Sequence, residues 1–282
     1  MSHQVEWKAG TWVVDPPAHV AIRLKRVFGQ LATGRTAPFV LKDTDEVARD
    51  LRWFLDRFPL SMSPKDRTQL EQAAGRHVER QGAVERILAA KHKPTAFKLA
   101  IQPREYQRRA AELLLAAGGL LLADDVGIGK TCSAIATFCD ARTLPALVVT
   151  LAHLPRQWDQ EIAKFAPGLR VHIIRSGKPY DLTRAKQWTR PLSMAVELPD
   201  VLVINYHKLA TWSDVLKGLV RSVVFDEVQE LRHSTTERYK AASAIAQAAH
   251  FRMGLSATPI YNYGEEIHSV LSVLCPGALG SH

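Results

Sequence analysis

The chain has 282 residues, 46% of them hydrophobic, enough for a proper core in one large or two modest domains. No apolar stretch approaches a membrane span, and the start, MSHQVEWKAG, lacks the basic-then-apolar layout of a secretory signal, so cytosolic residence is expected. A net charge of +9 with a pI near 9.6 favours a polyanionic partner.

That charge is uneven: residues 1–100 carry 17 Lys/Arg against 11 Asp/Glu, and the remainder 20 against 17. Cys132, Cys139 and Cys275 form an odd set without C-x-x-C, which argues against a disulfide framework or a zinc site. His233, His250 and His268 also lack metal-ligand spacing.

In chain order, an irregular or β-containing start around Trp7 to Val14 leads into helical sequence. Asp43, with Glu46 three residues on, has the form of a capping box, after which Val47, Leu51, Phe54, Leu55 and Phe58 line one helical face. Ser63-Pro64 then supplies a cap and a first-turn proline for a second helix, with Leu70, Ala73, Ala74, Val78, Val84, Ile87 and Leu88 along a face. Composition shifts at KHKPTAFKLAIQP, Lys91 to Pro103, where two prolines frame a basic stretch. The domain boundary is placed there, with a mostly helical accessory domain over 1–98 and a second domain over 99–282.

The second domain is expected to begin with a helix, Arg104 to Ala117, followed by Gly118-Gly119 and a strand. LLLADDVGIGKT, Leu120 to Thr131, joins this apolar run to a glycine-punctuated loop ending in Gly-Lys-Thr ahead of helix-compatible sequence. Gly127 and Gly129 let the backbone curl with its N–H groups inward, and the helix adds its positive dipole end to the same anion site. Lys130 then reaches the β- and γ-phosphates, and Thr131 offers a hydroxyl to Mg²⁺. The generic pattern G-x-x-x-x-G-K-[ST] has Gly where this chain has Asp124.

Further apolar runs end in polar residues: ALVVTL (146–151), VLVIN (201–205), RSVVFDEVQ (221–229) and FRMGLSATP (251–259). They describe an α/β domain with a mainly parallel sheet and functional residues at the strand ends. Asp226-Glu227 at one tip places a carboxylate for Mg²⁺ beside one that can polarise attacking water. Lys178 to Pro199 is expected to be a surface excursion, and Glu237 to His250, rich in Ala, a helix.

Taken together, residues 101–282 resemble the first RecA-like lobe of superfamily-two helicases, and within them the Swi/Snf-type double-stranded-DNA translocases. REYQ (104–107) resembles the nucleotide-reading Q motif, and DDVGIGKT resembles the family's DE-M-G-L-G-K-T form, which also has Asp at the position of Asp124. PALVVTLAHLPRQWDQEIAKFAP (145–167), with its Gln157-Trp158 pair, is similar to motif Ia, and DVLVINYHKL (200–209) to motif Ib. FDEVQELRH (225–233) resembles the D-E-[AG]-[HQ] box, with Val228 replacing a small residue, and the stretch from Gly254 to Ser281 resembles motif III and its tail.

The resemblance implies an ATP·Mg²⁺ site of Asp124, Asp125, Gly127, Ile128, Gly129, Lys130 and Thr131. Gln107 reads the adenine edge, Thr131 and Asp226 fix the metal, and Glu227 orients water. Gln229, Ser256 and Thr258 relay the γ-phosphate state, and His153, Arg156, Tyr206, His207 and Lys208 become candidates for contacts to double-stranded DNA. It also implies a second RecA-like lobe, in the full-length protein or a partner chain, so the expected function is the ATP-binding half of a translocase motor. Two alternatives stand beside it: a nucleotide-binding regulatory or partner-binding module without net catalysis, and an unrelated P-loop enzyme, which would not require YQ, QW and SATP in that order.

Overall fold

The computed structural model describes the chain except residues 1, 2, 30, 32, 33, 35, 185–197, 260–263 and 277–282. Most of the expected surface excursion, and parts of the stretch similar to the motif III tail, lie outside the described residues. Two compact units emerge, divided between Arg86 and Ile87. The division precedes the proline-framed stretch because that stretch is tied to the second unit. Glu112 accepts from Thr95 N at 2.7 Å and from His92 Nε2 at 2.6 Å, and Arg108 Nη1 donates to Pro94 O at 2.8 Å.

The first unit combines a four-stranded sheet with helices. Strands β1 (Gln4–Lys8) and β2 (Thr11–Asp15) form an antiparallel hairpin, and its two-residue turn puts Ala9 and Gly10 at φ 48° and 79°, as a type I′ turn requires. Helix α1 (Ala18–Val27) is followed by β3 (Phe39–Lys42), α2 (Asp45–Arg57), β4 (Ser61–Met62) and α3 (Pro64–Leu88). The sheet order is β3-β2-β1-β4. β3 and β4 are additions to the sequence reading, being too short to display a period.

Asp43 is not the cap of α2. Thr44 takes that place, accepting from Val47 N, while Asp43 accepts from the indoles of Trp7 at 2.6 Å and Trp12 at 3.0 Å. A buried Trp N–H needs an acceptor, and that demand outcompetes the helix end. Along α3 only the first half of the predicted face is covered: Leu70, Ala73 and Ala74 are buried, whereas Val78 and Leu88 are exposed.

The second unit contains α4 (Glu105–Ala117), β5 (Gly119–Leu122), α5 (Lys130–Thr137), β6 (Ala146–Thr150), α6 (Pro155–Phe165) and β7 (Val171–Ile173). It continues through β8 (Val201–Asn205), α7 (Tyr206–Leu216), β9 (Ser222–Asp226), α8 (Glu237–Ala248), β10 (Phe251–Leu255) and α9 (Gly264–Leu274). The strands form one sheet, ordered β5-β10-β9-β6-β8-β7, in which every pairing is parallel.

Both faces of that sheet are covered, which is why its strands read as continuous apolar runs rather than alternating ones. Leu147, Val149, Leu202, Ile204, Val223 and Phe225 join one core with Leu209, Trp212, Ile245 and Val270 of α7, α8 and α9. Ala146, Val148, Val201, Val203 and Val224 join the other with Ala111, Ile135 and Trp158 of α4, α5 and α6. Parallel strands bring all their C-terminal tips to one edge, and the polar residues singled out in the sequence lie there. Among the described residues, no helix is long and apolar enough to cross a membrane.

Candidate nucleotide site

The phosphate-loop sequence leaves the tip of β5 at Leu122 and enters α5 at Lys130. Gly127 and Gly129 adopt φ of 83° and 86°, conformations that side chains other than glycine resist. Around Gly127 an added Cβ would meet nothing within 4 Å, so the loop backbone there faces open space. Gly129 is confined as well as bent, since its Cβ would stand 2.5 Å from Gln107 Nε2. Lys130 Nζ donates to the carbonyl oxygens of Asp124 at 2.7 Å and Asp125 at 2.9 Å, which folds the ammonium over the loop. Thr131 is half-buried in the first turn of α5.

Gln107 has a definite task in this arrangement. Its Oε1 accepts from Arg104 N at 2.9 Å, while Nε2 donates to Ile128 O at 2.9 Å and Gly129 O at 3.2 Å. Tyr106 Oη donates to the same Ile128 oxygen at 2.7 Å. These bonds tie the start of α4 to the loop, a role that sequence reasoning did not assign.

The acidic pair ends β9. Asp226 Oδ2 accepts from Thr150 Oγ1 at 2.9 Å and from Trp158 Nε1 at 2.8 Å. Burial pushes its pKa up, the two donors pull it back in part, and the neighbouring Glu227 charge adds to the rise. Glu227 sits at φ 54°, a left-handed backbone unusual for a residue with a Cβ, between the strand and a 3₁₀ turn over Val228–Leu231. Strain of this kind gathers where a side chain must be aimed. Gln229, 8% exposed, donates through Nε2 to Glu227 Oε2 at 2.6 Å, and its Oε1 is buried without a partner.

Register relates the two halves. Leu122 and Asp226 both pair with Leu255, one from each side of β10. Two strand spacings put the root of the phosphate loop and the acidic pair about 10 Å apart at the same level of the sheet. Ser256, next along β10, donates through its N to Leu122 O at 3.2 Å, and its Oγ accepts from Thr258 N at 3.0 Å. The serine therefore fastens the tip of β10 to the root of the loop.

Of the candidate DNA contacts, His153, Arg156 and His207 are exposed and Lys208 half-buried. Tyr206 is not a surface residue: it is 3% exposed, and its hydroxyl donates to Asp226 O at 3.0 Å. An aromatic ring at the first turn of α7 turns inward because the apolar core beneath it outweighs the pull of solvent on one hydroxyl. Burial, reinforced by the charges of Asp226 and Glu230, pushes its pKa well above the ordinary tyrosine value. Thr150, Trp158 and Tyr206 are thus residues of the site that sequence reasoning quoted without assigning them to it. The nearest signal was the polar end of an apolar strand run at Thr150.

Comparison with known proteins bears on the family and the fold. The chain is 32% identical over 167 residues to the ATP-dependent helicase FUN30 of Saccharomyces cerevisiae, covering 55% of this chain and 14% of that protein. It is 29% identical over 234 residues to the TATA-binding protein-associated factor MOT1 of the same yeast, covering 75% of this chain and 12% of that protein. The chain therefore spans about a seventh or less of the length of these relatives. The Sulfolobus solfataricus SWI2/SNF2 ATPase core, solved in complex with double-stranded DNA, superposes with a TM-score of 0.56 at 27% identity, covering 67% of this chain and 39% of that one. The model of the SNF2-related domain matches residues 39–282, and the chain belongs to that family.

Proposed function

We propose that this chain is the ATP-binding lobe of an ATP-dependent double-stranded-DNA translocase, with the first unit, to Arg86 rather than to residue 98 as the sequence suggested, as an accessory domain and a second RecA-like lobe supplied by the full-length protein or a partner chain. The observation that carries the reading is the placement of a glycine-bent Gly-Lys-Thr loop and an Asp-Glu pair at the same level of one sheet edge. The DNA partner is suggested by the archaeal ATPase core, whose structure holds double-stranded DNA. Four features of the site suit ATP·Mg²⁺: a flexible cation, open glycine backbone, a carboxylate fixed by two donors, and a buried acceptor left over on Gln229. Among the described residues no cluster of three or more His, Cys, Asp or Glu could hold a metal, so the cation would be shared with the phosphates.

Bound ATP·Mg²⁺ supplies the γ-phosphoryl group for in-line attack and part of the charge neutralisation. Lys130 exchanges its two carbonyl acceptors for phosphate oxygens, which attract an ammonium more strongly. The loop amides through Asp124, Asp125, Gly127, Ile128 and Gly129 add dipoles of the same sign, and Thr131 and Asp226 hold the metal. Glu227 accepts a hydrogen bond from the attacking water and orients it. Gln107 anchors the loop, and to read the adenine edge its amide exchanges the Ile128 and Gly129 carbonyls for the base, while Gln229, Ser256 and Thr258 link the γ-phosphate position to the edge facing the second lobe. DNA phosphates are met by His153, Arg156, His207 and Lys208.

The test is ATP turnover with and without double-stranded DNA, measured on this chain and on a protein containing both lobes. The two-lobe protein is expected to show strong DNA stimulation, and the chain alone to fall short by about 10³ to 10⁵, the worth of an arginine finger in related phosphoryl transfers. Turnover by the chain alone above about 1 s⁻¹ with strong DNA stimulation would overturn the half-motor reading.

A further inference from the structure

Two buried aromatic side chains meet Asp226 from segments that resemble the family's DNA-facing motifs. Trp158, 2% exposed, lies in the first turn of α6, two residues after the exposed Arg156. Its indole donates to Asp226 Oδ2 at 2.8 Å, and Thr150 at the tip of β6 donates to the same oxygen at 2.9 Å. Tyr206 opens α7 and donates to the Asp226 carbonyl at 3.0 Å. That ring is braced in turn by the Arg238 guanidinium, 5.6 Å from its centroid, and Arg238 pairs with Glu230 of the 3₁₀ turn. Strand β6 and the first turns of α6 and α7 thereby hold the end of β9 by side chain and by backbone.

An indole N–H can only donate, so a buried tryptophan is satisfied only by an acceptor. A buried carboxylate, for its part, needs donors to offset its desolvation. With both donors on one oxygen, the carboxylate resists rotation about its terminal torsion, and its second oxygen keeps a fixed direction. A metal ligand needs that directional constancy. We propose that Trp158, assisted by Thr150, is a positioning residue for the magnesium-holding Asp226 carboxylate. This rests on the reading of Asp226 as a metal ligand given above. Partners of ligating carboxylates typically contribute about ten- to a hundredfold to metal affinity.

The experiment follows binding of a fluorescent ADP analogue to the full chain while Mg²⁺ is titrated, and again in EDTA. It compares wild type with Trp158→Phe and Thr150→Val, each of which removes one donor and keeps the approximate shape. The half-saturating Mg²⁺ concentration is expected to rise about ten- to a hundredfold in Trp158→Phe and in the same direction in Thr150→Val, with affinity in EDTA unchanged. An Mg²⁺ requirement equal to wild type in both variants would overturn the proposal. So would a loss of affinity of the same size with and without Mg²⁺, which is the mark of a merely structural role. If Trp158→Phe does not fold, Thr150→Val decides by the same two criteria. Wild-type binding indifferent to Mg²⁺ would instead overturn the assignment of Asp226 as a metal ligand, on which the proposal stands.

Discussion

Gln229 Nε2 donates to Glu227 Oε2 at 2.6 Å, so the second carboxylate of the acidic motif is held by a residue two positions further on. The restraint acts on a side chain whose backbone is already forced to φ 54°. In Glu227→Gln an amide oxygen can still accept from Gln229, but the group no longer attracts the proton of an attacking water. Nucleotide affinity and thermal midpoint should stay close to wild type, while hydrolysis by a two-lobe protein should fall by about a hundredfold or more, the scale of general-base contributions. Undiminished steady-state turnover would remove Glu227 from the mechanism and leave Asp226 as the metal ligand alone.

Gly119 is the most confined of the described glycines. A Cβ there would lie 2.4 Å from the carbonyl oxygen of Leu274 and 2.8 Å from Cys275 Sγ, so Gly119→Ala must push the end of α9 off the sheet. Overpacking of this kind costs about 1–3 kcal/mol. Gly168→Ala, where the added carbon meets nothing within 4 Å, is the matched control. Chemical denaturation of the two variants should separate them, and equal midpoints would contradict the docking of α9 described above.

Glu112 gives the second unit an acid-sensitive strap. Burial alone would raise its pKa, but hydrogen bonds from Thr95 and His92 outweigh that effect together and hold the carboxyl below its ordinary value. A depressed folded pKa means stability that is complete above the ordinary carboxylate range and lost as the pH falls through the lower, folded value. Replacing Glu112 by Gln removes charge-assisted bonds worth about 1.5–3 kcal/mol near neutrality. Wild type should therefore exceed the variant in stability at about pH 7, and the gap should close as the pH falls below the ordinary carboxylate range. A gap that widens on acidification would show that the carboxylate is not what secures residues 92–95.

The parts of this fold legible in the sequence were those written in short-range patterns. Buried parallel strands announced themselves as runs such as ALVVT and VLVIN because both faces of the sheet are covered. Gly118-Gly119 marked a helix end, and each glycine has its own reason: Gly118 takes the left-handed cap at φ 80°, whereas Gly119 makes room for α9. Side-chain partnerships across long separations were not legible. Thr150 and Asp226 are 76 residues apart, and Asp43 is drawn away from a helix cap by indoles that stand 36 and 31 residues before it. Tyr206 failed as a surface candidate for the same reason, since only the packed structure shows that its first-turn position on α7 faces the core.

The most direct test of the account is the affinity of this chain for ATP·Mg²⁺ before and after Lys130→Ala. Among the described residues Lys130 Nζ bonds only loop carbonyls, at 2.7 and 2.9 Å, so its removal should leave the thermal midpoint nearly unchanged. A charge-assisted bond to phosphate is worth about 1.5–3 kcal/mol, which corresponds to a loss of about ten- to a hundredfold in affinity. Equal affinities in the two proteins, with the fold intact, would contradict the assignment of residues 124–131 as the phosphate loop.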